Sequence, residues 1–180
     1  EHRGRSGTVF RGGLIGLLTA YVLAHVSMTK VWADTKTVQV GSGTDAFWAD
    51  RLYGGAACLA LTQILEHVRP SDSLVVLPEG VMLNYLLRKK TPARYINYMP
   101  PELLMFGEAN MLADFAAHPP NWIVLAHKPT SEYGLPFFGQ DYGKRLFAWI
   151  TAHYETEASF GDPPLQKGTR FGIRVLRRKA

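Results

Sequence analysis

Two periodicities divide this chain. Apolar residues recur at helical spacing in "RLYGGAACLALTQILEHV" (51–68), which ends before Arg69-Pro70, and again in "GVMLNYLLRKK" (80–90). Arg88 to Lys90 would suit the negative C-terminal end of that second helix. "ELLMFGEANMLADFAAH" (102–118), stopped by Pro119-Pro120, and "GQDYGKRLFAWITAHY" (139–154) predict two further helices. Between them lie short runs of strand character. "TKTVQVG" (35–41) is rich in β-formers, and "RYINYM" (94–99) alternates. "SLVVL" (73–77) and "NWIVLAH" (121–127) are apolar without alternation, as in neighbouring or near-neighbouring parallel strands covered on both faces.

Strand and helix alternating from 35 to 154 predict a three-layer α/β domain with a mainly parallel sheet. The last runs, "YETEASFG" and "RFGIRVLRR", flank the turn-rich "GDPPLQKGT" and predict a closing antiparallel β-hairpin.

Residues 12–29, "GGLIGLLTAYVLAHVSMT", follow neither pattern. They contain no Asp, Glu, Lys or Arg and lie between Arg11 and Lys30. About 20 apolar residues cross a bilayer, and this run with its flanks reaches that length. Tyr21 and Trp32 suit the interfaces, while His25 would be costly facing lipid. No small-residue cleavage site follows cleanly, so a signal peptide fits less well. The competing reading is a core helix of a soluble protein. Taken as a span, the run divides the chain into an N-terminal membrane helix with its flanks (1–33) and a soluble α/β domain (34–180). Arg3, Arg5 and Arg11 precede it, favouring a cytoplasmic start and an extracytoplasmic domain at the inner membrane. The first residue is Glu1, not Met, which suggests a piece of a longer protein.

The chain has 180 residues, enough for one domain with a sizeable core. Lys and Arg total 20 against 15 Asp and Glu, a net charge of +5. The excess is dispersed except at Arg88–Lys90 and in the C-terminal tail. It forms no basic face interleaved with aromatics, so nucleic acid is not an expected partner. A basic domain near a membrane is an equally good account. The single cysteine, Cys58, excludes an intrachain disulfide and a cysteine-based zinc site, and its Ala/Leu setting predicts a small buried residue.

Candidate chemistry gathers where strands end. In such sheets ligands collect at the carboxyl ends of the strands. If 73–77 and 121–127 are parallel, Glu79, His127, Lys128, Ser131, Glu132 and Tyr133 share one edge. A carboxylate and a histidine there could do acid–base work. Equally, a Glu in a first helical turn is favoured by the helix dipole and needs no substrate. "LVVLPEG" is close to the strand-plus-glutamate motif of nitrilase-type amidohydrolases, but those require a later nucleophilic Cys, and Cys58 precedes Glu79. "VGSGTDAF" (40–47) lacks both dinucleotide and P-loop spacing, and no G-x-S-x-G elbow occurs. The histidines form no metal-binding pattern, so no cofactor or metal is expected. Asp45 and Asp50 read as a helix-start and surface pair.

The order "LPEGVMLNYLLRKKTPARYINYMPPELLMFGE", "FFGQDYGKRLFAWITAHY", "FGIRVLRR" resembles the C-terminal region of polytopic bacterial membrane glycosyltransferases. Those are similar to the dolichyl-phosphate-mannose–protein mannosyltransferase family and the lipid A aminoarabinose transferase. The resemblance covers residues 12–180 as a last transmembrane helix and a soluble tail domain. It implies an accessory domain of an enzyme that moves sugar from a polyprenyl-phosphate carrier. The implied partners are membrane lipid, that lipid-linked sugar and the remainder of the transferase. The family's catalytic acid belongs to a membrane loop this chain lacks, so no catalytic residue is carried over. Glu79, His127, Lys128, Glu132 and Tyr133 are then candidate substrate-binding residues. The alternative is a self-sufficient soluble α/β enzyme using the loops at 78–80 and 127–133.

Overall fold

The computed structural model describes residues 2–179. Helix α1 (His2–Asp34) is one continuous rod, about 50 Å long at 1.5 Å per residue. Its large side chains are exposed all round, at Leu14, Ile15, Leu17, Leu18, Tyr21, Val22 and Leu23 in succession. A core helix would hide at least one stripe. Of Gly7–Asp34, with mean hydropathy 1.5, nothing is buried, so the helix projects from the body and is long and apolar enough to cross a bilayer.

The body is mixed α/β, but its sheet is not mainly parallel. Four strands lie in the order β3 (Leu74–Leu77), β4 (Trp122–Ala126), β6 (Gly172–Arg178), β5 (Tyr154–Gly161). β3 and β4 are neighbours and parallel, Leu74 opposite Trp122 and Leu77 opposite Leu125, as their apolar runs predict. β6 lies antiparallel to both β4 and β5. The closing hairpin forms as expected, but one of its strands docks inside the sheet. A run buried on both faces is equally compatible with either direction, so its pattern could not decide this. Nor does the 35–41 run join this sheet. As β1 (Lys36–Val40) it pairs antiparallel with β2 (Phe47–Asp50) in a separate two-stranded sheet.

Side-chain alternation explains the unbroken apolar runs. Leu74, Val76, Trp122, Val124, Ile173 and Val175 face α2 (Arg51–His67) and α3 (Val81–Leu87). Val75, Leu77, Ile123, Leu125 and Leu176 face Met111 and Phe115 of α5 (Glu108–Ala117) and Leu146 and Ile150 of α6 (Lys144–His153). Helices therefore cover both faces.

Four predicted elements are corrected. Residues 94–99 form no strand. The Arg94 N–H donates to the Asp114 carboxylate of α5 at 2.7 Å and the Tyr98 N–H to the Pro78 carbonyl at 2.9 Å, so these two amides find partners outside any sheet. The 102–118 helix is two, α4 (Pro100–Phe106) and α5, parted at Gly107 with φ 79°. Helix α6 starts only at Lys144, because 137–143 is a compact loop. Helix α3 also ends early: Arg88 is its left-handed cap and pairs with Asp45 instead of stabilising a last turn. Asp50, read with Asp45 as a helix-start and surface pair, caps α2, accepting from Leu52 N–H at 2.9 Å and Tyr53 N–H at 3.1 Å.

Candidate functional site

Because β3 and β4 run in the same direction, the loops after Leu77 and Ala126 leave the same edge. Lys128 Nζ lies 3.2 Å from Glu79 Oε2, the side chains 39% and 46% exposed. An ion pair this wet contributes about 0–1 kcal/mol to stability. Each group remains available to a ligand of opposite charge.

Gly80, the residue after Glu79, has φ 151° and starts α3. A helix of seven residues follows, so Glu79 precedes its first turn.

His127 turns the other way. It is buried, its N–H donates to the Gly172 carbonyl at 2.9 Å, and its Nδ1 accepts the Leu165 N–H at 3.1 Å. An accepting Nδ1 places the ring proton on Nε2 and makes the imidazole neutral. Burial holds its pKa below the ordinary 6.5, with the Asp162 carboxylate opposing. Folding therefore favours the neutral ring, and this contribution is complete above 6.5. It is lost as pH falls from the unfolded value toward the lower folded one, at up to ~1.4 kcal/mol per pH unit. The protection factor of the Leu165 amide against exchange should fall over the same window. His127→Asn, which keeps an acceptor near Nδ1, should flatten that pH dependence; an unchanged slope would assign it to another group.

Glu132 and Tyr133 are exposed in a short 3₁₀ turn, Ser131–Tyr133. Buried Thr130 anchors that turn by donating its hydroxyl to the Leu135 and Pro136 carbonyls. The structure thus pairs Glu79 with Lys128, leaves Glu132 and Tyr133 on the rim, and commits His127 to the 162–171 loop. Cys58 is elsewhere: half-buried in α2, its thiol donates to the Gln39 carbonyl at 3.2 Å. It lines a cavity of about 290 Å³ with Gly41, Asp45 and Leu86. No three His, Cys, Asp or Glu side chains converge on a possible metal position among the described residues.

Several elements reach this edge without any signal in the sequence. The Tyr98–Pro78 hydrogen bond places α4 there. Glu108 accepts the Arg145 and Leu146 N–H groups at 2.7 and 3.0 Å, bringing the N-terminus of α6 to α5. Tyr98 Oη and Glu102 Oε2 are buried without a hydrogen-bond partner among the described residues. Beside them Arg94, Tyr95, Ile96, Asn97, Glu102 and Phe106 line a groove of about 400 Å³.

The exit of α1 is fixed at this edge too. The Tyr53 ring, in the first turn of α2, lies 4.5 Å from that of Phe171, the residue before β6, tilted by 58°. Phe171 neighbours Gly172, which receives the His127 N–H at the end of β4. The start of α2 therefore lies at the carboxyl edge of β3 and β4. Lys36 pairs with Asp50, the cap of α2, so β1 begins there as well. Only Thr35 separates β1 from α1.

Chemically, this edge offers a cation and a carboxylate in mutual contact, a neutral buried imidazole and aromatic rims. It can hold an anionic or polyhydroxylated group. The described contacts join no nucleophile to a base. Comparison with protein families, with curated proteins and with solved structures gives no match.

Proposed function

We propose that this chain is the membrane-anchored accessory domain of a glycosyltransferase that draws sugar from a polyprenyl-phosphate carrier, on the extracytoplasmic side of the inner membrane. In this reading the catalytic half lies outside residues 1–180. The observation that carries it is the exit of α1 at the edge bearing Glu79 and Lys128. With α1 in a bilayer, that edge faces the headgroups, where a lipid phosphate and its sugar reside. Lys128 then meets the phosphate, and Glu79, Glu132 and Tyr133 provide polar contacts to the sugar. His127 holds the loop that shapes the edge. The resemblance around "LPEGVMLNYLLRKK" supplies the reaction class; the ion pair and the anchor supply the reason a lipid-linked substrate fits.

Glu79→Gln tests the accessory role. Losing a general acid or base costs ~10²–10⁴-fold, whereas losing one polar contact costs far less. Sugar transfer by membranes carrying the whole enzyme should fall by less than about tenfold at matched expression. A fall beyond about a hundredfold with normal folding would make Glu79 catalytic and overturn the reading.

A further inference from the structure

Helix α4 presents its apolar side outward. Leu104 is 89% exposed, Met105 72% and Phe106 40%, while Pro100 is buried and Leu103 packs against the core. No charge interrupts 103–107. Phe106 lies 5.1 Å from the Tyr95 ring, and the Arg94 guanidinium sits 5.8 Å from that same ring. An apolar tip, an aromatic collar and a cation behind it are ordered as at a membrane interface, from acyl chains to lipid phosphate.

We propose that α4 is a lipid-contact element: Leu104, Met105 and Phe106 enter the boundary between headgroups and acyl chains of the bilayer that α1 crosses. The proposal rests on reading α1 as a membrane span. The occupant follows from the anchor. The charge-free run of α1 ends at Thr29, and β1 starts at Lys36 on the edge that also carries α4. The intervening residues are helical up to Asp34 and rise about 7–8 Å, close to the depth of one headgroup layer. The body therefore has no slack with which to stand away from the lipid. Val81, Met82, Tyr133 and Leu135, all large and exposed, lie in the loops and helix start of this same edge. Contact between α4 and lipid would hold the Glu79–Lys128 pair at headgroup level instead of letting the body swing about Thr35.

The experiment uses the full chain in vesicles of phosphatidylcholine and phosphatidylglycerol. In a Cys58→Ser background, single cysteines at Leu104→Cys, Leu18→Cys and Ser71→Cys carry an environment-sensitive fluorophore. Leu18 reports the middle of α1, and Ser71 lies before β3 at the opposite edge. Nitroxide lipids labelled near the headgroup should quench position 104 more than about twofold over position 71, and iodide in the buffer should do the reverse. Equal quenching of 104 and 71 by iodide would overturn the proposal. Protection of 104 from both quenchers would also overturn it, assigning α4 to a protein surface or a second copy. Position 18 separates the two claims: quenching there by deep nitroxides without quenching at 104 removes the α4 contact alone. No deep quenching at 18 removes the span, and the α4 assignment falls with it.

Discussion

Gly172→Ala is expected to destabilise the domain by about 3–5 kcal/mol, enough to leave much of it unfolded. A Cβ on Gly172 would stand 1.6 Å from the Asp162 carbonyl oxygen and 2.7 Å from its carbon. Both are backbone atoms, so no side-chain rotation can relieve the clash. Gly172 pairs with Gly161 across the β5–β6 hairpin, and the Asp162 N–H donates to the Phe171 carbonyl at 3.0 Å. Making room means opening the hairpin where it enters the 162–171 loop. That loop delivers the Leu165 N–H to His127, and the Gly172 carbonyl itself accepts from the His127 N–H. The damage therefore spreads from β5 to the end of β4. Denaturant unfolding of the chain in detergent micelles, read by tryptophan fluorescence, checks the magnitude. A loss below about 1 kcal/mol would mean that the hairpin is not closed as described.

Gly80→Ala ranks second, at about 2–4 kcal/mol. Its φ of 151° is one that L side chains rarely adopt, and a Cβ would lie 2.5 Å from Val76 Cγ1. Val76 is buried in the centre of β3, packed on the α2 side of the sheet. Neither the backbone nor the neighbour gives way cheaply. Relief by rotating the peptide would swing Glu79 away from Lys128, so the variant should lose stability and the ion pair together. The same unfolding measurement reads the first effect. For the second, adding Lys128→Met to Gly80→Ala should change stability less than adding it to the wild type. Equal changes would show that the pair survives the substitution.

Most elements with a single strong periodicity were legible before any coordinates. The charge-free run at 12–29 is a projecting helix because no charged residue or proline interrupts it and no opposed polar face turns it onto the body. The β3–β4 pair was readable because an unbroken apolar run needs cover on both faces, and its parallel direction because helical segments lie between the two runs. Asp45 and Asp50 read together only as a helix-start and surface pair; the structure makes Asp50 the cap, its carboxylate satisfying amides that the start of α2 leaves open.

The candidate site was legible only in outline. The shared edge followed from strand direction, so Glu79 and Lys128 could be placed together. The inward turn of His127 could not, because it depends on the Leu165 amide, 38 residues away and held there by the β5–β6 hairpin.

Local pattern settled what each segment could become: the long apolar helix, the two-faced strands, the caps. Tertiary structure alone settled how they meet. It inserted β6 antiparallel between β4 and β5, drew β1 away to β2, tied the Arg94 and Tyr98 amides to Asp114 and Pro78, and set α4 on the edge where α1 leaves. The physical reason is the range of the interactions. Helical turns and caps close within about four residues and can be read locally. Strand order and the placing of loops depend on hydrogen bonds and apolar contacts between residues tens of positions apart, which neighbouring residues do not encode.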